Sequence, residues 1–367
     1  MSRRVNANKP AAVTTKPARP AGQVSQREIG ELAGVSQATV SLVLAGRKVN
    51  SDETRRRVLE AAQQLKYRPN LLVHGMQTGK SKMIGVMAPP FDYFWSRILY
   101  GIHDALAEHD YVPINVWPAH HGRGPEVNAP ESDELTQLHR LLDRRVEGVI
   151  FWPPSAALFV DHVDEFTSRE LPIVVIDHEL PANFRADSVG SDETIGGKLV
   201  ADHLVQLGHR RIVHLSGPDA MTWGRLRRQS FESALAEHGV KCVVREAPTR
   251  HPSFAADLIR SILTEPKPPT AIYAASDPLA RVVYRVAHEL GISIPKDLSV
   301  VGFADDDFAA ELIPPLTTVR QPGYEIGRRA ADLLIARAGG TYRKGGRRDV
   351  LPVTLEVRES TARPGDR

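Results

Sequence analysis

One cysteine, few aromatic side chains and no apolar run approaching the roughly 20 residues of a membrane span are the first features of this 367-residue chain. Cys242, in the strand-like CVV, has no partner for an internal disulfide and no nearby cysteine for a metal or redox site, so it reads as a core filler. The polar, Pro-rich start lacks the apolar centre of a signal peptide, which makes the cytoplasm the expected compartment and a membrane an unexpected partner. There is no Gly-x-Ser-x-Gly elbow, no Walker-type phosphate loop and no zincin helix, so nothing argues for an enzyme or a cofactor. His120 and His121 are adjacent and cannot readily chelate one ion. Asp305, Asp306 and Asp307 lack the spacing of a calcium loop. Both groups read as solvated loops, and no metal is expected.

Charge is present but unevenly placed. Residues 1–80 hold 14 Lys/Arg against 5 Asp/Glu, so a chain of net charge +3 divides into a basic front at +9 and a remainder at −6. A solvated face explains such a run, but a small basic domain on a mildly acidic large one also suits a phosphate-backbone partner. Residues 1–24 carry five Lys/Arg, three prolines and no acid, and are expected to be a disordered basic tail.

Three short helices are expected between Ser25 and about Leu65. Ser25 with Glu28 forms a capping box, Ser36 caps the second helix, and Ser51 precedes the acids Asp52 and Glu53, with Tyr67-Arg68-Pro69 stopping the third. Ile29, Leu32, Val35, Val40 and Val43 can pack with Val58, Ala62 and Leu65. That leaves Ser36, Gln37, Ala38, Thr39, Ser41 and Leu42 outside on the second helix. Helix, tight turn, helix is the arrangement that lays a second helix in the DNA major groove, where Gln37 can pair with adenine and Ala38 can touch a thymine methyl. A helical hairpin that merely packs on a neighbour is the alternative. From Met83 onward, runs such as MIGVMAP, PIVVID, RIVHLSG and LSVVGF alternate with amphipathic segments, which implies parallel sheets covered by helices and, from the strand number, two similar lobes.

ELAGVSQATVSLVLAG, then VNSDETRRRVLEAAQQLKYRPN and QTGKSKMIGV, resemble the headpiece and linker of the lactose/galactose repressor (LacI/GalR) family. DHLVQLGHRRIVHLSGP, LSVVGFADDD and IPPLTTVRQP resemble that family's effector-binding core. The resemblance implies an α/β chain in five parts. A helix-turn-helix domain at 25–69 follows the tail, then a hinge helix and linker at 70–82. Next come an N-terminal core lobe at 83–188 plus 322–348 and a C-terminal lobe at 189–321 plus 349–360, both like periplasmic binding proteins. It further implies a homodimer on near-palindromic operator DNA, governed by a small molecule between the lobes. The end, TARPGDR, has no leucine heptads for a four-chain bundle.

Carried over by position, Gln37 and Ala38 fall on base-reading positions and Ser36, Thr39 and Ser51 on phosphate-contacting ones. Met76 stands where the family usually has a leucine that wedges into the minor groove. Leu42 departs from the arginine common there, and Ala304 from an aspartate common at its place, with Asp305 a possible substitute. In an open parallel sheet ligands meet the carboxyl ends of strands, which directs attention to Asp177, Ser276, Asp277 and Asp305. The resemblance places Asp177, Arg225, Ser276 and Asp277 at effector positions. Phe94 and Trp95, with Trp152 and Trp223 behind them, are candidates for an aromatic platform, core packing being the alternative for each. The expected function is a transcriptional regulator, a repressor, responding to a sugar. A nucleobase or nucleoside effector is the first alternative; a solute-binding module without DNA binding and a sugar-modifying enzyme are the others.

Overall fold

The computed structural model describes residues 24–49, 51–68, 75, 80–88, 93–117, 132–152, 166, 168–177, 186–217, 221–247, 255–340 and 346–365. Met76, the His120-His121 pair and all of the basic tail but Val24 lie outside them. The chain divides into two compact units, Met1–Gly79 and Lys80–Arg367.

The first unit contains α1 (Gln26–Ala33), α2 (Gln37–Leu44) and α3 (Asp52–Gln64). Its caps follow the sequence. Ser25 Oγ accepts from the Glu28 N–H at 3.3 Å while the Glu28 carboxylate accepts from the Ser25 N–H at 2.6 Å, and Ser36 and Ser51 cap the other two helices through Thr39 and Thr54. Gly34 ends α1 at φ 64, a conformation that disfavours any residue with a Cβ, and so permits the sharp turn into α2. The core is Ile29, Ala33, Val40, Val43, Val58, Ala61 and Ala62, with Val35 and Leu65 at its edge. Leu32, expected among them, is instead 49% exposed. The buried stripe of α1 runs through Ile29, Gly30 and Ala33, and at 100° per residue Leu32 falls beside that stripe.

The second unit begins with β1 (Met83–Met87), α4 (Tyr93–Glu108), β2 (Val112–Val116), α5 (Ser132–Asp143), β3 (Val149–Phe151), β4 (Ile173–Ile176) and β5 (Asp187–Ser191). It continues through α6 (Glu193–Gln206), β6 (Ile212–Ser216), α7 (Thr222–Glu237), β7 (Cys242–Glu246), α8 (Ala256–Leu263), β8 (Ala271–Ala274), α9 (Asp277–Glu289), β9 (Ser299–Ala304) and β10 (Thr317–Arg320). It closes with α10 (Gly323–Ala338), β11 (Arg348–Leu351) and β12 (Thr354–Glu356). One sheet has the order β11-β5-β4-β3-β1-β2, the other β12-β10-β9-β8-β6-β7. The central runs IVVI, IVHLS and SVVGFA are buried at every residue, as strands covered on both faces must be. Cys242 opens β7 and packs at the edge of the second lobe's core, and burial pushes its thiol up to about 11.

The second sheet is parallel except at its edge, where β12 runs antiparallel to β10. Two expected lobe boundaries differ from the strand pairing. The expected crossover after residue 188 falls inside β5, whose Asp187–Val189 pair with β4 and whose Ser188–Ser191 pair with β11. A strand bonded on both sides moves as a unit, and the first lobe therefore keeps the chain through Ser191. For the same reason β11 belongs entirely to the first lobe, and the last crossover lies between Leu351 and Thr354 rather than after residue 348. Beyond β12, Ser360 is fully buried and accepts from Thr317 N while donating to Val300 O, which stitches the C-terminal segment into the second lobe.

α10 returns from the second lobe to pack along α4, contributing Ile326, Ala330, Ala331 and Leu334 to the first lobe's core. The two helices cross where a Cβ on Gly327 would lie 2.0 Å from Ile98 O and one on Gly101 would lie 2.0 Å from Tyr324 O. Only glycine fits that approach. Gly327→Ala should destabilise the core by about 1–3 kcal/mol, the usual cost of overpacking, and urea unfolding should show the loss as a lower midpoint at an unchanged slope.

Candidate functional site

Two surfaces carry functional side chains, one in each unit. On the first, the capped start of α2 presents Gln37 and Ala38 to solvent, with Thr39 and Ser41 partly exposed. Leu42 is 41% exposed and follows on the same helix. Ser36 and Ser51 are exposed, each with its Oγ accepting a helix N–H, and Ser36 Oγ also shares a hydrogen bond with Thr39 Oγ1 at 2.9 Å. Arg47, Lys48, Arg55 and Arg57 add exposed positive charge, whereas Arg56 is clasped by Glu53 at 2.8 Å and Glu60 at 3.1 Å.

The second surface is the meeting line of the lobes. A small cavity is lined from the first lobe by Asp177, residues 188–191 and Arg348, Asp349 and Val350, and from the second by Glu193, Thr222, Trp223 and Leu226. Asp177 ends β4 at φ 54, and its carboxylate lies over Gly190, where a Cβ would stand 2.9 Å from Oδ1. Behind the cavity wall Arg227 is buried. Its Nε and Nη2 donate to the two oxygens of Glu193, its Nη1 donates to Ala275 O at 2.6 Å, and its guanidinium covers the Phe303 ring at 3.6 Å and the Trp223 ring at 4.9 Å. Gln321 Nε2 donates to Ser191 Oγ at 2.8 Å and Glu193 Oε1 at 3.1 Å, tying two crossovers together. Trp95 and Trp152 stack edge to face at 5.2 Å, Phe94 adjoins Trp95 at 5.5 Å, and Met221 and Trp223 of the second lobe pack into the same cluster.

The expected effector residues divide sharply. Asp177 lines the cavity, whereas Phe94 and Trp95 pack in the core cluster that the cavity-lining Trp223 joins. Arg225 lies in the first turn of α7, partly buried and outside the cavity lining; the arginine that turns inward is Arg227. Ser276 is the N-cap of α9, accepting from Leu279 N. Asp277 is fully buried, with Oδ2 accepting from Asp306 N at 2.8 Å and Oδ1 from Thr318 Oγ1 at 2.6 Å. Asp305, proposed to replace the missing aspartate at Ala304, turns away to accept from Arg320 Nε and Arg358 Nη2, both at 2.6 Å. Asp277 and Asp305 thus brace the segment after β9.

Sequence reasoning missed Arg227, Glu193, Gln321 and Ser191. A signal existed for the first. Gly224, Arg227, Phe231 and Ala234 recur at helical spacing on the buried side of α7, and Arg225 does not join that series. Gln321 follows directly on β10, the same strand-end position that had recommended Asp177.

The acids of this region titrate unusually. Burial, then the nearby Glu193, raise Asp177 to about 7, with Arg227 and the Ser191 N–H pulling the other way. Burial likewise raises Asp277 to about 6 against the hydrogen bonds of Thr318 and Asp306. Burial disfavours the charge on Arg227, but Glu193 outweighs it and the guanidinium is held above its ordinary range.

This architecture, a helix-turn-helix unit followed by two βα lobes around a polar cavity, has matches on both parts. Residues 26–70 match the bacterial regulatory proteins of the lacI family, and residues 201–361 match the periplasmic binding protein-like domain. The HTH-type transcriptional repressor CytR of Escherichia coli (strain K12) is 29% identical over 340 residues, covering 92% of this chain and 96% of that protein. The lac repressor dimer bound to operator and the anti-inducer ONPF has a TM-score of 0.81 at 27% identity, covering 93% of this chain and 99% of that one. A LacI family transcriptional regulator from Enterococcus faecium with bound ribose has a TM-score of 0.66 at 29% identity, covering 77% of this chain and 99% of that one. The chain therefore carries a lacI-family helix-turn-helix domain and a periplasmic binding protein-like domain, and is similar over nearly its whole length to transcriptional repressors of that family.

Asp177 supplies a test of the cavity's electrostatics. Its folded-state pKa lies above the ordinary 3.8, so its charge costs stability in full above pH 7, and the cost fades as pH falls toward 4. Asp177→Asn should therefore melt higher than the parent at pH 8, by a margin that shrinks as pH drops from 7 to about 4. Thermal melts of both proteins across that range measure it, and subtraction removes the parallel contribution of Asp277.

Proposed function

We propose that this regulator is a homodimeric repressor of near-palindromic operator DNA, released or engaged by a neutral, hydroxyl-rich small molecule that binds beside Asp177, Glu193 and Arg227. The observation that carries the DNA-binding part is the row Gln37, Ala38, Leu42 standing clear of the small core that fixes α2, at the positions where such a helix reads base edges. Met76 keeps its proposed role as a minor-groove wedge on the family resemblance alone.

The effector class follows from the groups at the cleft. Carboxylates at Asp177 and Glu193 line the cleft as acceptors for hydroxyls, Arg227 and Gln321 hold Glu193 in place from behind it, and Trp223 supplies a flat apolar wall. That set suits a sugar, the ligand class of the ribose-bound relative. The same aromatic wall would serve a base, which makes a nucleoside the second reading. The relatives are transcriptional repressors, which supports a chain that acts by binding and not as an enzyme. Among the described residues no helix is long and apolar enough to cross a membrane, and a DNA partner puts the working site in the cytoplasm.

Selection of bound duplexes from a random pool should return a near-palindrome, since two recognition helices read half-sites related by the dimer axis. Affinity for it should fall on the order of a thousandfold between about 50 and 200 mM salt if about six phosphates are contacted. Gln37→Ala should cost about 1–3 kcal/mol on that operator and relax one base pair per half-site, and Leu42→Arg should create a new guanine preference. An asymmetric consensus, or one unmoved by both substitutions, would reject this placement of α2.

Effector sensing separates the two arginines of α7. A thermal-shift screen of pentoses, hexoses and nucleosides identifies a ligand, and calorimetry then compares Arg225→Ala with the double variant Arg227→Gln/Glu193→Gln, which avoids leaving one buried charge alone. Binding should survive the first and vanish in the second.

A further inference from the structure

The run Asp305-Asp306-Asp307 has three fates. Asp305 is held by two arginines, and Asp306 is buried with its N–H on Asp277, whereas Asp307 opens a short helical turn, Asp307–Ala310, with a side chain 70% exposed. Asp307 accepts through Oδ1 from Nη2 of Arg97, on the second turn of α4. Asp307 belongs to the second lobe and Arg97 to the first, so this ion pair bridges the lobes directly.

Its setting is rigid on both sides. A Cβ on Gly323, where the chain crosses from β10 to α10, would lie 3.2 Å from Arg97 Cβ, which places the arginine stem against the crossover. The backbone before Asp307 is pinned by Asp277 through Asp306 and by Arg320 and Arg358 through Asp305. A pair held this way senses relative displacement of the lobes, because neither end can follow the other without moving its own sheet.

We propose that Arg97 and Asp307 form a cross-lobe latch that sets the balance between lobe arrangements, and through it the effector sensitivity of the protein. The proposal rests on the reading of the cleft as an effector site, since a ligand acts only by favouring one arrangement over another. It needs no contact between the latch and the ligand. An exposed ion pair contributes little to folding, but a two-state balance lying within a few kcal/mol responds to small terms. Loss of the latch should shift the ratio of lobe arrangements by up to about fivefold, less at high salt.

The four tryptophans provide the readout. Trp95, Trp152 and Trp223 lie in the cluster where the lobes meet, and Trp117 is 39% exposed on β2's outer end. In a Trp117→Phe background of the full-length protein, without DNA or effector, acrylamide quenching reports access to the interlobe cluster. Arg97→Gln and Asp307→Asn should each raise the quenching constant in low-salt buffer, and the exchanged pair Arg97→Glu/Asp307→Arg should return it toward the parent value. In about 1 M salt, where the screening length is about 3 Å, the parent should move toward the single variants. Unchanged quenching in both single variants, a rise that the exchanged pair does not reverse, or a parent insensitive to salt would overturn the latch. Because neither operator nor ligand enters the measurement, failure here leaves the DNA-binding reading standing, and an absent operator consensus would leave the latch standing.

Discussion

A guanidinium taken out of water must be paired, and the arrangement of the cleft follows from that requirement at Arg227. Removing such an ion from solvent costs several kcal/mol even after relaxation, so its hydrogen bonds have to be supplied by groups fixed in advance. Glu193 meets it with both oxygens, the Ala275 carbonyl takes a further N–H, and Phe303 and Trp223 cover the faces. These partners come from the start of α6, the end of β8, the end of β9 and the first turn of α7. Gln321, reaching Glu193 from the β10–α10 crossover, adds a tie to Ser191 of the first lobe. One buried charge therefore holds four elements of the second lobe and touches the machinery that joins the two lobes.

The helix-turn-helix unit solves a different problem with less material. Seven buried side chains form its core, too few for much intrinsic stability, and three serine caps, each typically worth about 1 kcal/mol, hold the helix starts. Because α2 spends only Val40 and Val43 on the core, most of its surface is left free, and this economy is what turns a small fold into a reading head.

Local chemistry was the legible part of the sequence. The Ser25–Glu28 box, the serine caps and the apolar runs of the strands act over a few residues, and they stand where their spacing puts them. The two-lobe plan followed from the number of strands. What sequence could not supply was direction. Asp277 and Asp305 both stand just after strands, as ligand groups in such sheets do, yet each is turned inward by partners 15 to 53 residues distant, Thr318 for one and Arg320 with Arg358 for the other. Arg225 and Arg227 are separated by 200° of helix, so choosing between them required knowing which face of α7 meets Phe303. The ends of the lobes were misjudged by two or three residues because strand pairing, not composition, decides where a lobe stops.

The three passages between lobes fix an order of completion. The first lobe needs α10 and β11, and the second needs β12 and the segment around Ser360, so both depend on the last fifty or so residues although most of each was laid down far earlier. A ribosome that has released residue 320 has exposed ten of the twelve strands among the described residues and closed neither core: the groove of α4 around Gly101 still awaits Gly327, and the β5 edge still awaits β11. The reading head, by contrast, has every one of its buried side chains by Ala62. During synthesis the small helical unit is finished long before either lobe of the larger one.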